Sequence, residues 1–270
     1  MGIALHSRTA ETKRTVVDSQ SPNLRAKSVL ALALLGATAP AAHAIELGHD
    51  LTAGGNLALT SNYIYRGVSE SDNHGAVQGD VHLDSRGGTF AGVWGSTRER
   101  DLDPGARYDL EVYLGHRFDL SSVWNATLSL RGHYYAGGTQ EASNNYQEIL
   151  GTLTYLDRWS FSVTAIPNAV RYWFYRRLSR SRAWIAETSG QWLIAQGLFV
   201  TAGAGYYSSQ GTGAGIQRGS GYAYGNGGLA YEWRSFRLDV DYFLAQDSAV
   251  RTSPYPIANH RLEGTLSWRF

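Results

Sequence analysis

Cysteine is absent from the 270-residue chain. That excludes disulfide staples, thiolate metal sites and a cysteine nucleophile. Lysine is nearly absent. Lys13 and Lys27 are the two lysines, so beyond them every strongly basic side chain is arginine. Such a preference fits pairing with carboxylate or phosphate in a partly dry setting. Methionine occurs once. The body of the chain also lacks any run approaching the roughly 18 apolar residues that a membrane helix needs. A strong net charge is missing too, the formal value being +1. Five basic residues (Arg8, Lys13, Arg14, Arg25, Lys27) and two acidic ones (Glu11, Asp18) fall before position 45. The remainder is therefore close to balanced, with no nucleic-acid footprint.

What is present is glycine and aromatic residues: 31 Gly, 17 Tyr and 8 Trp. This composition suits strands rather than helices. The mean hydropathy of −0.29 fits a membrane barrel, whose polar lumen face offsets its lipid face. The N-terminal region has the layout of a secretory signal. Arg25 and Lys27 form a basic edge, Val29–Leu35 an apolar core, and Ala42-His43-Ala44 a small-x-small cleavage site. Residues 1–44 thus read as a signal peptide with a long polar extension over 1–24, and 45–270 as the mature domain.

The last nine residues, LEGTLSWRF, alternate Leu262, Gly264, Leu266, Trp268 and Phe270 with Glu263, Thr265, Ser267 and Arg269. Period two predicts a strand with one greasy and one polar face. Ending on Trp268 and Phe270, it is similar to the terminal strand of bacterial outer-membrane barrels, where that strand is the assembly signal. From residue 54 the same pattern recurs and predicts twelve strands: 54–65, 76–84, 89–97, 107–117, 124–135, 145–156, 158–167, 182–194, 198–208, 221–233, 236–246 and 259–270. The segment 172–176 is read as part of a long loop rather than as a thirteenth strand. Connections alternate between tight turns and the long loops 66–75, 98–106, 136–144, 168–181, 209–220 and 247–258. An even strand count, short turns at one end and long loops at the other predict an all-β, transmembrane antiparallel barrel with both termini periplasmic. Aromatic residues near strand ends, Trp124, Tyr134, Trp192 and Trp233 among them, predict interfacial girdles.

The segment SNYIYRGVSESDNHGAVQG (61–79), followed by GGTFAGVWGS (87–96), resembles the Gcw_chp family of proteobacterial conserved hypothetical proteins. Its pattern falls on Asn62, Tyr63, Tyr65, Arg66, Gly67, Val68, Ser69, Asp72, Asn73, Ala76, Val77, Gln78 and Gly79, then on Phe90, Ala91, Gly92, Val93, Trp94, Gly95 and Ser96. Glu111, Tyr113 and Gly115 agree more loosely, and past residue 120 the resemblance is mainly of strand pattern. The resemblance implies an outer-membrane barrel in Gram-negative bacteria and no known activity. Physically, Arg66 is in reach of Asp72 or Asp80, a clamp on the first loop.

Alternation places Asp80, His82, Asp109, Glu111, Arg131, His133, Glu148, Glu187, Glu232, Arg237, Asp239 and Asp241 toward the lumen. Acidic residues outnumber arginine there, which predicts a channel favouring cations or polar neutral solutes. A closed lumen filled by Arg–carboxylate pairs is the other outcome of the same pattern. Arg171, Arg176 and Arg177, among the aromatics of loop 168–181, suit lipopolysaccharide phosphates. An outer-membrane lipid hydrolase built on His82 or His133 is a weaker alternative, since no Gly-x-Ser-x-Gly elbow occurs. Closely spaced metal ligands are not evident, so neither metal nor cofactor is expected. The expected partners are outer-membrane lipid, lipopolysaccharide and the barrel-assembly machinery, with no nucleic acid.

Overall fold

A computed structural model describes residues 45–48, 50–98, 106–137, 145–173, 177–210, 220–251 and 257–270. The expected signal peptide lies outside them. Twelve strands run in chain order: β1 (Leu51–Thr60), β2 (Ala76–Ser85), β3 (Thr89–Thr97), β4 (Ala106–Asp119), β5 (Trp124–Gly137) and β6 (Tyr146–Tyr155). They continue as β7 (Trp159–Trp173), β8 (Arg177–Ala195), β9 (Leu198–Ser209), β10 (Ser220–Trp233), β11 (Phe236–Ala245) and β12 (Arg261–Arg269). Each pairs antiparallel with its neighbours, and β1 pairs with both β2 and β12. The sheet therefore closes on itself and leaves no long edge.

The closing seam joins Thr265–Arg269 to Asn56–Thr60. Gly55 and Phe270 then exchange backbone hydrogen bonds of 2.8 and 3.0 Å. A two-residue strand, Ile45–Glu46, continues along β1 at Thr52 and Ala53.

The period-two pattern sets inside and outside. On β4, Tyr108, Leu110, Val112 and Leu114 are all exposed, whereas Asp109 and Glu111 between them are buried. The same inversion of a soluble core recurs with Val77 and Val81 on β2, Leu128 and Leu130 on β5, and Leu238 and Val240 on β11. Tyr108, Tyr134 and Tyr206 stand exposed toward the long-loop end, and Phe118, Trp192 and Trp233 toward the short-turn end. From Tyr108 to Phe118, ten residues rising about 3.3 Å each and tilted about 40° span about 25 Å, the height of a barrel's apolar band.

Three boundaries differ by five residues or more from those the sequence predicts. The first strand ends at Thr60, because the chain turns inward after Ser61, burying Asn62 and Tyr63. The segment 168–181 is mostly extended rather than looped: β7 runs on to Trp173 and β8 starts at Arg177, with Ala169–Trp173 paired to Arg177–Ser181. Tyr172 thus extends the seventh strand. Proline at 167 has no N–H for the ladder, and the sheet absorbs it in a register shift between Ile166 and Ala169. Within the shift the Asn168 side chain ties β7 to β6, its oxygen accepting from the Gln147 N–H at 3.0 Å and its amide donating to Gln147 Oε1 at 2.7 Å.

The segment 61–75 folds into the barrel instead of standing above it. A hairpin pairs Ile64 with Ser69 and Tyr65 with Val68. Its two-residue turn, Arg66-Gly67, has φ of 51° and 75°. Two successive positive φ values define the primed hairpin turn and favour glycine at the second position. Asp72 and Asn73 take φ of 54° and 60°, which their short polar side chains tolerate. Asn62 binds the base together: its Oδ1 accepts from the hydroxyls of Ser69 (2.6 Å) and Ser71 (3.2 Å). The far end is seated on Tyr222, Ala249 and Ile257 through Val68.

Candidate functional site

The hairpin makes polar contacts with inward side chains of β4 and β6, which flank β5 on one wall. Asp109, Glu111 and Tyr113 alternate on β4. The tight β4–β5 connection sets Glu111 opposite His133 and Tyr113 opposite Arg131. The β5–β6 register then sets Arg131 opposite Glu148 and His133 opposite Tyr146. Three carboxylates, a histidine and an arginine therefore meet on one inner wall, the product of alternation and two hairpin registers.

Arg66 lies over this wall. Its two terminal nitrogens donate to the two oxygens of Glu148, at 2.6 and 3.1 Å. The pair is almost dry, with side-chain exposures of 9% and 0%. The guanidinium also stacks on Tyr65 at 4.5 Å. Arg66 is thus a clamp as its sequence position suggests, but its partner is neither Asp72 nor Asp80. The hairpin carries it across the lumen to a strand the local sequence does not reveal. Tyr63 packs on Trp94 (5.5 Å) and donates to Asp109 Oδ2 at 3.2 Å. At the rim, Arg98 pairs with the Glu70 carboxylate and stacks on Tyr135.

Beneath the hairpin, Glu111 pairs with Arg131 at 3.2 Å. His133 is fully buried, with Nδ1 3.4 Å from Glu111 Oε1 and 3.9 Å from Asp109 Oδ1, and Nε2 3.6 Å from Glu148 Oε1. Tyr146 stacks on its ring, centroids 4.2 Å apart.

The other inward residues form separate groups. Asp80 accepts from the Tyr113 hydroxyl at 2.6 Å and faces His82 Nδ1 at 2.5 Å. Gly92 leaves the space that the Tyr113 ring fills. Glu187 accepts from the Tyr224 hydroxyl. Nearer the short-turn end, Arg237 bridges Asp239 (2.8 Å) and Glu232 (2.9 Å). Asp241 accepts from Thr201 at 3.0 Å and Asn226 at 2.9 Å, both neutral donors. Arg237, Asp239, Asp241, Thr201 and Asn226, with Asp157, line a cavity of about 380 Å³.

The remaining motif residues serve the frame. Gln78, Gly79 and Gly95 lie in the β2–β3 ladder, where Leu57 and Leu110 cover Gly79 and Gly95. Trp268 and Phe270 pack together at the seam, 5.1 Å apart. Of the three arginines set aside for a surface ligand, Arg176 lies outside the described residues; Arg171 and Arg177 sit in paired strands. Tyr65, Tyr146, Glu70 and Arg98 are participants that sequence reasoning passed over. Tyr65 stood in the motif beside Arg66; the other three carry no local signal, because their partners are distant in sequence.

A closed, even-stranded antiparallel barrel with an apolar outer belt, aromatic girdles and a charged interior defines a transmembrane β-barrel of the outer-membrane type. The profile described as "Bacterial protein of unknown function (Gcw_chp)" matches residues 44–224, and the chain belongs to this family. Among solved structures it is similar to the NanC porin, at 11% identity and a TM-score of 0.50, covering 80% of this chain and 97% of that one. A protein solved in a study of in-meso crystallisation of membrane proteins gives 12% identity and a TM-score of 0.51, with coverages of 81% and 83%. At such identities the likeness concerns the fold. No curated protein matches the chain in sequence.

Proposed function

We propose that the chain is an outer-membrane, porin-like channel for small polar solutes, with the hairpin 61–75 as its constriction. The observation that carries this is the inward fold of that hairpin. It narrows a charged lumen from within, by polar side chains, and leaves a polar cavity on the short-turn side. Charged walls cost more to bury than apolar packing, a cost that a water-filled passage lowers. Rings of side chains at a constriction are how channels select. With Arg237 paired and Asp241 held by neutral donors, the cavity presents negative charge and favours cations.

Lipid and lipopolysaccharide contact the outer belt in this reading, the barrel-assembly machinery takes up β12, and residues 1–44 act as the export signal. The test is single-channel recording of detergent-extracted protein in a planar bilayer. Discrete, cation-leaning steps are expected. Silence from a folded, heat-modifiable barrel would overturn the channel and favour the second reading, a closed barrel. The dryness of the Arg66–Glu148 pair is the observation that speaks for that alternative.

A further inference from the structure

The wall beneath the hairpin is arranged for a cation. We propose that Asp109, Glu111 and His133 hold one divalent transition-metal ion, with zinc as the best match to the donor set. Asp109 and Glu111 project inward from alternate positions of β4, and the β4–β5 register sets His133 against Glu111. Their three ligand atoms lie within 4.8 Å of one another.

The second observation is His133 itself. It is 0% exposed, and among the described residues neither ring nitrogen has a hydrogen-bond partner. Buried polar atoms are almost always satisfied, so each such exception asks for a reason. Its distances of 3.4 and 3.9 Å to Glu111 and Asp109 are long for hydrogen bonds. They suit ligands around a shared ion, since bonds of 2.0–2.2 Å at a tetrahedral centre put donors about 3.4 Å apart.

The surrounding groups fit the same role. Tyr63 donates to the outer oxygen of Asp109, and Arg131 faces the outer oxygen of Glu111. That leaves Asp109 Oδ1 and Glu111 Oε1 turned to the ring. Glu148 faces Nε2, the position from which a carboxylate orients a metal-bound imidazole through its other nitrogen. With the proton on Nε2, the Nδ1 lone pair points at two carboxylate oxygens, an arrangement a cation between them relieves. Among the described residues, three carboxylates face this space against the guanidinium groups of Arg66 and Arg131, so added positive charge is accommodated. One imidazole and two carboxylates suit zinc and its neighbours better than calcium, which takes six or more oxygens.

The test is calorimetric titration of Zn²⁺ into the chelator-treated, detergent-extracted protein, with Ca²⁺ as comparator. One saturable Zn²⁺ per chain is expected. His133→Gln and Asp109→Asn each weaken it at least tenfold, while Asp241→Asn, in the cavity, leaves it unchanged. X-ray absorption of the zinc-loaded native protein reads the site without a variant, and a shell with one imidazole is expected. A folded barrel that takes up no stoichiometric Zn²⁺, a shell with several imidazoles, or native affinity in both folded variants would overturn the assignment.

Discussion

Arg66 and Glu148 concentrate the energetics of the site. Truncating one member of a buried pair leaves the other charged and unpartnered, at a cost of about 3–5 kcal/mol. Arg66→Ala is therefore expected to release the hairpin, seen as faster hydrogen exchange over 61–75 and a larger unitary conductance. Unchanged exchange would remove the clamp from the account. Asp241→Asn keeps the hydrogen bonds from Thr201 and Asn226 in form but deletes the charge. Its expected effect is a reversal potential shifted toward that of an unselective pore in a salt gradient, and an unmoved potential would assign selectivity elsewhere. Alternation in the sequence reveals that Glu148 and Asp241 face inward. It does not reveal that Arg66 meets Glu148, because the two are 82 residues apart and join only through the closed barrel.

At the scale of the element, turn chemistry decides most. The hairpin tip needs positive φ at both Arg66 and Gly67, and a Cβ on Gly67 would lie 2.7 Å from that of Tyr224 and 3.0 Å from that of Ala245. Gly67→Ala is thus expected to unseat the hairpin while the strands stay paired. Protease cleavage within 61–75 without loss of the heat-modifiable band is the measurement, and resistance equal to the native chain would refute the seating. The family motif was legible as a clamped first loop, from Arg66 with Asp72 and Asp80 in reach. Its direction, into the lumen, was not, since nothing local separates an inward from an outward hairpin. Pro167 misled in the opposite sense. A proline ends a strand by its own chemistry, but here a register shift and the Asn168 amide carry β7 past it. The metal-ligand set escaped notice for a related reason: its spacing is set across strands, through the pairing of Glu111 with His133.

At the scale of the whole molecule the strand count, the facing of every strand but β3 and the alternation of turns were readable, because a barrel in lipid must alternate everywhere; β3, with Phe90, Val93 and Trp94 among glycines, left its facing ambiguous. The same parity fixes an orientation. The absence of native cysteine makes it simple to test with single introduced thiols. Gln210→Cys, at an exposed long-loop position, is expected to react with a membrane-impermeant maleimide on intact cells. Gln196→Cys, in an exposed short turn, is expected to react only after the outer membrane is opened. The reverse pattern would invert the topology. The hairpin 61–75 also bears on how the molecule assembles. It leaves the first pair of strands, yet it rests on Glu148 of the sixth and Tyr222 of the tenth, the latter 156 residues from Arg66. Contacts that distant in sequence form only after the intervening chain is in place. The earliest loop to be threaded therefore waits for the end of the chain to complete its seat, and until the residues around Ile257 arrive the nascent barrel carries an open bore.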